Sequence, residues 1–514
     1  MGELAIVPAE DIENHTTLPT SCTGFQFPNP NIYENAQIAE SLASQASFSL
    51  APRMTSRPSR LIDVGSDDVV LPKLVPMQEL DKMELDDLRY LTLSHCWGGA
   101  EILRLLVQNI DDLKSGIEKS TLPQTFQHAI VTTRELGYRY LWIDSLCIIQ
   151  DSPQDWAYES QFMGEIYANS ICTIAALAAR NSHEGCFFDN TRNPLFFRPC
   201  RLLDDLYVEA NSNIGVDLRK GLSPLPLHTR AWVVQERILA PRTVYYGSMG
   251  LAWECVDCSA TEAIPWGEKS RFSPKASFFD IQQENNEEKY YSNWIDIQIS
   301  YTRCSLTRFD DRLVAILGVI QRIQSLTGWE NVWGMWRNRL LMEMLWFVEE
   351  PARRPETGMY LSPTWSWVGI EGRVMMAVGV QEQKRWAAEV VDVGLAEERG
   401  YVRLKAAMRG VKCTAACKLN GGKEMPLPKW EEVDWDPDTI SKTDGVEEMA
   451  CLLIARLPEY LGPGSEAFDI GLVVRRSRGE EWSRIGLFRQ LREGDAALFP
   501  KNLAELQLKE ITVV

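Results

Sequence analysis

Between residues 89 and 180, the apolar positions alternate between the period of a strand and the period of a helix. Three short apolar runs predict buried strands: Tyr90 to Ser94, Tyr138 to Ile143, and Ile171 to Leu177. Helical spacing fills the two gaps, first from Leu122 to Gly137 and then from Ser152 onward. This β-α-β-α-β order predicts a mainly parallel sheet with right-handed crossovers and flanking helices.

The second predicted helix has the clearer start. Ser152 suits the N-cap, Pro153 suits the first turn, and Asp155 completes a variant of the capping box. The apolar stripe of this helix consists of Trp156, Met163, Ile166 and Tyr167. Glu159 falls inside that stripe when each residue turns the helix by about 100°. Its carboxylate is therefore predicted to point toward the core or toward a cleft at the edge of the core.

Polar residues stand where the three predicted strands end. These ends are Ser94-His95-Cys96, Asp144-Ser145 and Ala178-Ala179-Arg180. Ligands of open parallel sheets bind beyond the carboxyl ends of the strands. We therefore expect Glu159 to share a pocket at this edge with Ser94, His95, Trp97 and Asp144.

Shorter signals extend the sheet on both sides. Residues 61–64 and 71–75 predict two edge strands, and residues 109–117 predict a short helix in the first crossover. A helix from Arg230 to Leu239 is followed by a hairpin made of RTVYYG and LAWEC. That helix carries Gln235, Glu236 and Arg237, which either brace the cleft or form a solvated face with internal pairs. Both alternatives stay open.

The chain as a whole is predicted to consist of four parts. Residues 1–57 predict an irregular leader with one short helix near residues 36–44, and residues 58–247 form the α/β domain. Residues 248–350 predict a helical extension: a polar loop over 266–300, a helix opened by Thr307, and a helix from Trp333 to Phe347. Residues 351–514 predict a β-rich domain in which Trp365 and Trp367 are core aromatics.

Composition narrows the classes of function. The chain has 514 residues and a net charge of -18, which argues against binding to the phosphate backbone of nucleic acids. No apolar run reaches the ~20 residues that span a bilayer, so a cytoplasmic protein is expected. The twelve cysteines are interpreted as reduced and mostly buried. A zinc site from Cys255, Cys258, Cys413 and Cys417 is a weaker alternative.

Four motifs in a fixed order carry a family resemblance. They are YLTLSHCWGG, LPQTFQHAI, the segment from LGYRYLWIDSLCIIQD to ANSICTIAA, and RAWVVQERILAPRTVYYG. Together they closely resemble the fungal heterokaryon incompatibility (HET) domain, here over residues 58–247. The resemblance implies a protein of programmed cell death and self/nonself signalling. It also implies a flavodoxin-like sheet related to the TIR fold, some members of which cleave NAD.

This resemblance implies a candidate catalytic residue. The placement of Trp156 and Glu159 is similar to the tryptophan and glutamate that begin the catalytic helix of NAD-cleaving TIR domains, so Glu159 is the candidate catalytic acid. The expected substrate-binding residues are Ser94, His95, Trp97, Asp144 and Trp156, and the expected bracing residues are Arg180, Gln235, Glu236 and Arg237. No dinucleotide-binding motif is present. NAD would therefore be a substrate, and neither a cofactor nor a metal is expected.

Two other interpretations remain. Ser94 or Cys96 could act as a nucleophile with His95 as base and Asp144 as its orienting acid. Adjacent strand residues point to opposite faces, however, which argues against His95 serving either neighbour. The second alternative is a non-catalytic docking module that works by self-assembly. In either case the expected partner is another copy of the chain or another incompatibility protein, and not a nucleic acid or a membrane.

Overall fold

The computed structural model describes residues 4–8, 57–67, 69–80, 88–99, 101–187, 200–203, 206–210, 225–247, 250–256, 259–261, 275, 278, 286–349, 352–355, 360–377, 385–411, 434–437, 449–457, 468–491, 498–500 and 502–514. The chain divides into two compact units. The first comprises Met1–Asn293, Cys304–Leu306 and Val314–Arg322, and the second comprises Trp294–Arg303, Thr307–Leu313 and Ile323–Val514.

The described strands and helices of the first unit are numbered here in chain order. The strands are β1 (Leu4–Pro8), β2 (Arg60–Asp63), β3 (Lys73–Pro76), β4 (Tyr90–Ser94), β5 (Tyr140–Trp142), β6 (Cys172–Ala175), β7 (Cys200–Leu203), β8 (Leu206–Ala210), β9 (Arg242–Gly247), β10 (Gly250–Cys255) and β11 (Ser259–Thr261). The helices are α1 (Met77–Leu80), α2 (Ile110–Ser115), α3 (Gln124–Glu135), α4 (Asp144–Cys147), α5 (Pro153–Asn169) and α6 (Val233–Leu239).

The main sheet of this unit has a parallel centre and antiparallel borders. Its strand order is β11-β10-β9-β6-β4-β5-β2-β3. Strand β4 pairs in parallel with β5 and β6, and β6 pairs in parallel with β9, whereas β2, β3, β10 and β11 are added antiparallel. The predicted parallel pairing of the three central strands is confirmed. The hairpins at both borders make the whole sheet mixed, because hairpin-linked strands pair antiparallel.

Burial explains why β4 is central. All five of its residues are buried, as expected for a parallel strand covered on both faces. The predicted caps are also confirmed, because Ser152 Oγ accepts a hydrogen bond of 3.2 Å from the Asp155 amide at the start of α5. Helix α3 ends before Gly137. Its φ of +75° is a left-handed conformation that glycine adopts without strain and other residues do not. The core of this unit lies between the sheet and these helices.

The leader contains regular structure that was not predicted. Strand β1 pairs antiparallel with β8, and β8 pairs with β7, so the expectation of a wholly irregular leader is wrong. This pairing joins positions about 200 residues apart, which local patterns cannot reveal. The short helix predicted near residues 36–44 lies outside the described residues.

The remaining described elements continue this numbering. The helices are α7 (Glu287–Thr302), α8 (Leu317–Thr327) and α9 (Leu340–Glu343). The strands are β12 (Asn331–Val332), β13 (Met335–Trp336), β14 (Trp346–Val348), β15 (Val374–Met376), β16 (Arg385–Trp386), β17 (Glu389–Ala396), β18 (Arg399–Val411), β19 (Asp434–Pro437), β20 (Met449–Leu457), β21 (Phe468–Arg478), β22 (Glu481–Leu491) and β23 (Leu508–Val513). Helices α7 and α8 each cross the division between the two units.

The second unit contains a closed ring of strands. Strand β18 pairs with β20, β20 with β21, β21 with β22, β22 with β23, and β23 again with β18. This closure leaves none of the five strands as a free edge. The predicted β-rich C-terminal region is confirmed. Trp365 and Trp367 are fully buried as predicted, although they lie in a loop and a 3₁₀ turn instead of a strand.

Three element predictions for the extension need correction. The predicted loop over 266–300 contains α7, whose Tyr291, Trp294 and Ile297 recur at helical spacing and are buried. The helix predicted from Trp333 to Phe347 is interrupted, because Trp333 and Gly334 both have positive φ and form the turn between β12 and β13. The helix predicted to open at Thr307 starts at Leu317, after two 3₁₀ turns. No helix in the described ranges is long and apolar enough to cross a membrane. The four-part division of the chain stays a prediction.

Candidate functional site

The carboxyl ends of β4, β5 and β6 lie at one edge of the main sheet because the three strands are parallel. Ser94 at the end of β4 stands opposite Ala175 at the end of β6. The loops that follow these two strands touch each other: a Cβ on Gly98 would lie 2.6 Å from the Arg180 carbonyl oxygen. Gly98 also has a φ of +67°, so glycine is required for both reasons.

A buried carboxylate contacts the end of β4. The Ser94 hydroxyl donates a short hydrogen bond to Glu236 Oε2 on α6. The Tyr167 hydroxyl on α5 directs its single proton toward two acceptors, the same carboxylate and the Leu93 carbonyl oxygen at 3.2 Å. Ser94 and Glu236 are each only 3% exposed. Three elements that are distant in sequence therefore meet at Glu236.

Burial is the main influence on the charge of Glu236. It raises the pKa of this carboxyl to about 7, and the negative charge of Asp144 adds to the increase. The positive charge of Arg230 and the hydrogen bonds from Ser94 and Tyr167 act in the lowering direction but do not offset the burial. Burial therefore favours the neutral form of Glu236.

His95 lies on the opposite face of the sheet from Glu236. Its ring meets the ring of Phe126 on α3 edge-on, with centroids 5.1 Å apart. Burial lowers the His95 pKa to about 4, which keeps the ring neutral. Within the described part of the chain, its Nε2 atom has no hydrogen-bond partner. The side-chain hydrogen bond of Ser94 goes to Glu236 and not to the His95 ring.

Partly exposed residues lie on the solvent side of this cluster. Trp97 Nε1 donates to Asp144 Oδ2 at 2.9 Å, and Asp144 Oδ1 accepts from the Ser145 amide at 2.7 Å. The Arg230 guanidinium donates to the His95 carbonyl oxygen. Of the residues expected to share a pocket with Glu159, Ser94, His95, Trp97 and Asp144 therefore lie around the ends of β4 and β5.

Glu159 belongs to a second polar cluster. Its side chain is 1% exposed, and its Oε1 lies 3.6 Å from Arg60 Nη2. The same guanidinium binds both oxygens of Asp155, at 2.5 and 2.6 Å, and donates to the Cys147 carbonyl at 2.8 Å. Burial raises the Glu159 pKa, while Ser59 and Arg60 act to lower it. The recorded polar contacts of Glu159 are thus with Arg60 and Ser59, whereas those of Ser94 are with Glu236.

The arginine that pairs with Glu159 was not predicted. The two arginines among the expected bracing residues, Arg180 and Arg237, both lie elsewhere. Arg180 is exposed, with its backbone amide bonded to Glu184 Oε2 at 2.8 Å. Arg237 binds both oxygens of buried Glu254, at 2.8 and 2.9 Å. Arg60 directly precedes the edge strand predicted over residues 61–64, so a charged residue beside an apolar strand was the signal available in the sequence.

The polar residues of α6 are buried. Gln235, Glu236 and Arg237 are each between 1% and 3% exposed, which excludes a solvated helix face. Gln235 Oε1 accepts from the Gly318 amide at 3.1 Å, and the Tyr245 hydroxyl donates to Glu254 at 2.6 Å. Trp156, the remaining predicted binding residue, is partly buried and packs against the main core.

Metal binding has no candidate among the residues that the structure describes. No group of three or more His, Cys, Asp or Glu side chains in these ranges could hold a metal ion. Cys258, Cys413 and Cys417, which were considered for a zinc site, lie outside them. Cys255 is partly buried at the end of β10.

Comparison with known proteins gives one match. A family model described as "Heterokaryon incompatibility protein (HET)" matches residues 90–236. A search of curated proteins and a search of solved structures each found no match. The matched segment begins with β4 and ends with Glu236, so it contains Ser94, Glu159 and Glu236. The description of this family model names heterokaryon incompatibility. The match confirms the resemblance seen in the four motifs and identifies residues 90–236 as a HET domain.

Proposed function

We propose that this protein takes part in heterokaryon incompatibility and cell death by cleaving the N-glycosidic bond of NAD. The observation that supports this proposal is the buried carboxylate of Glu236, which is bonded to Ser94 at the carboxyl edge of a parallel sheet and lies close enough to partly exposed Asp144 to be influenced by its charge. Ligands of open α/β sheets bind at that edge. Carboxylates with a raised pKa cluster at functional sites.

The proposed reaction needs few protein groups. The bond between the ribose C1′ and the nicotinamide nitrogen breaks, and its electron pair stays on nitrogen, which gives neutral nicotinamide. The ribose passes through an oxocarbenium-like state that a nearby carboxylate stabilises, as in glycosidases. Water then bonds to C1′ and releases one proton. NAD is consumed as a substrate, and a buried site strengthens the electrostatic stabilisation.

A TIR-like architecture is part of the proposal. The four central parallel strands, with helix α3 on the His95 face and helices α5 and α6 on the Ser94 face, support it. The antiparallel strands at both borders would be additions to that core. We also propose a cytoplasmic location, because NAD is an intracellular dinucleotide.

The direct test is nicotinamide release by the purified full-length protein. Wild-type protein incubated with NAD is expected to release nicotinamide and ADP-ribose in equal amounts, in proportion to protein concentration. A thermally unfolded sample of the same preparation serves as the control. Folded protein that releases no nicotinamide above this control, both alone and after induced assembly, would contradict the enzymatic proposal.

A second candidate function is a docking module that assembles with copies of itself. It is favoured by Val69, Val70 and Leu71, which are 90%, 46% and 41% exposed beside the border strand β3. Exposed apolar residues at a sheet edge are a usual site of chain association. Val69→Asp is expected to reduce self-association in light scattering. Undiminished association by this variant would count against a role of this surface.

A further inference from the structure

We infer that Glu236, and not Glu159, is the carboxylate that acts on the substrate of this domain. The inference rests on the proposed NAD cleavage and names its catalytic residue. It follows from three features of the two glutamates: the groups that bind them, their position relative to the strand order, and the residues between them and solvent.

The first feature is the set of binding partners. Glu159 lies beside Arg60, which also holds Asp155 through two short contacts. Buried Glu254 is held in the same way by Arg237. Among the described residues, no such ion pair is recorded for Glu236, whose hydrogen bonds come from the hydroxyls of Ser94 and Tyr167. The positive charge of Arg230 acts on Glu236, but the Arg230 guanidinium bonds to the His95 carbonyl oxygen, so among the described residues the Glu236 carboxylate is held by hydroxyls and not by a direct ion pair.

The second feature is the position of Glu236 in the sheet. From β4 the chain continues to β5 on one side, whereas from β6 the next strand of this sheet is β9 on the other side. The strand order therefore reverses between β4 and β6. Ligands of open α/β sheets bind in the crevice at this reversal point. Ser94 and Ala175 are paired at that point, and Glu236 is bonded to Ser94.

Glu159 is displaced from the reversal point. Its partner Arg60 lies on β2, which is separated from β4 by β5. In addition, Arg60 holds the Cys147 carbonyl and Asp155 in place, as a structural ion pair does. The reversal point therefore favours Glu236 over the residue that the sequence pattern indicated.

The third feature is the route to solvent. Arg230 and Asp144 are both partly exposed, and both are close enough to Glu236 to influence its ionisation. Substrate would approach from the side of these two residues and Trp97. With a pKa of about 7, Glu236 is matched to accept a proton at neutral pH. In the proposed step, ionised Glu236 takes the proton of water while the water oxygen bonds to the ribose C1′.

The test compares two conservative variants of the full-length protein. Glu236→Gln is expected to lower the rate of nicotinamide release by roughly 100-fold or more, the usual contribution of a general base. Asp63→Asn, at a buried carboxylate that pairs with Arg139, is the matched control and should retain activity in proportion to its folded fraction. Melting temperatures are measured for both. A folded Glu236→Gln protein with activity within threefold of wild type would overturn the inference while leaving the proposed function intact. Wild-type protein without activity would instead refute the proposed function, and the inference with it.

A second variant keeps the test decisive if Glu236→Gln does not fold. The Ser94 hydroxyl lowers the Glu236 pKa through its hydrogen bond, so Ser94→Ala should raise that pKa. Because a general base must be ionised, the acidic limb of the pH–rate profile should move to higher pH. A purely structural role of Glu236 would change the amount of active protein without moving that limb. An unshifted acidic limb in Ser94→Ala would therefore overturn the inference.

Discussion

Two buried glutamates of the same domain differ in what surrounds them. Glu159 lies beside Arg60 and Asp155, whereas Glu236 is bonded to the hydroxyls of Ser94 and Tyr167. Burial raises the pKa of both carboxyls, yet among the described residues a direct ion pair is present for Glu159 and not for Glu236. Burial alone therefore does not distinguish a structural carboxylate from one available for chemistry. The nature of the partner distinguishes them, because a cation paired with the carboxylate already neutralises the negative charge that a ligand would need.

The largest expected effect on stability comes from removing the cation of the Glu159 cluster. Arg60→Ala would leave Glu159 and Asp155 close together without their shared arginine, which should cost about 3–5 kcal/mol of unfolding free energy. Urea denaturation would measure this loss. The matched control is Arg139→Ala, because Arg139 is exposed and pairs with Asp63 at 2.8 Å. Its expected cost is at most about 1 kcal/mol. Equal losses in the two variants would show that Arg60 is not a buried structural partner.

A smaller effect should appear in the pH dependence of stability. The pKa of Glu236 is about 7 in the folded protein, against an ordinary value of 4.5. Because folding raises this pKa, the contribution of Glu236 to the unfolding free energy is complete below pH 4.5 and is lost as the pH rises through 7. The expected loss is about 3 kcal/mol. It is measured as the difference in unfolding free energy between wild type and Glu236→Gln at each pH.

The difference in unfolding free energy between wild type and Glu236→Gln separates the contribution of Glu236 from those of the other titrating groups. Burial lowers the pKa values of His95 and His128 to about 4. Their contribution to the unfolding free energy is therefore lost in the opposite direction, as the pH falls. Their contributions are common to both proteins and cancel. A difference that stays constant from pH 4.5 to 7.5 would contradict the raised pKa of Glu236, and with it part of the contrast with Glu159.

The smallest expected effect concerns the helix that carries residues of both clusters. Helix α5 contains Glu159 and Tyr167, and between them a Cβ on Gly164 would lie 2.6 Å from the Cα of Gly318. Gly164→Ala should therefore force α5 outward and cost about 1–3 kcal/mol. Thermal unfolding would measure the loss. Gly410→Ala is the control, because an added Cβ there meets nothing within 4 Å. A Gly164→Ala protein as stable as this control would show that α5 and α8 can move apart without a measurable loss of stability.

Local sequence patterns determined most of the central fold of this domain. The periods of apolar residues located β4, β5, β6 and the two helices between them, and capping residues located the start of α5. The same periodicity correctly placed Glu159 on the buried side of its helix. These predictions succeeded because burial of one helix face and capping depend on residues only a few positions apart.

The partners of the buried charges depended on the tertiary structure alone. Ser94 and Glu236 are 142 positions apart, and the Arg60–Asp155 contact joins positions 95 apart. Helical phase gives the direction of a side chain but not the residue that it meets, because that residue is set by strand order and crossover direction. The sequence therefore determined that Glu159 is buried. Only the fold determined that Arg60 pairs with it, and that Glu236 lies where the strand order reverses.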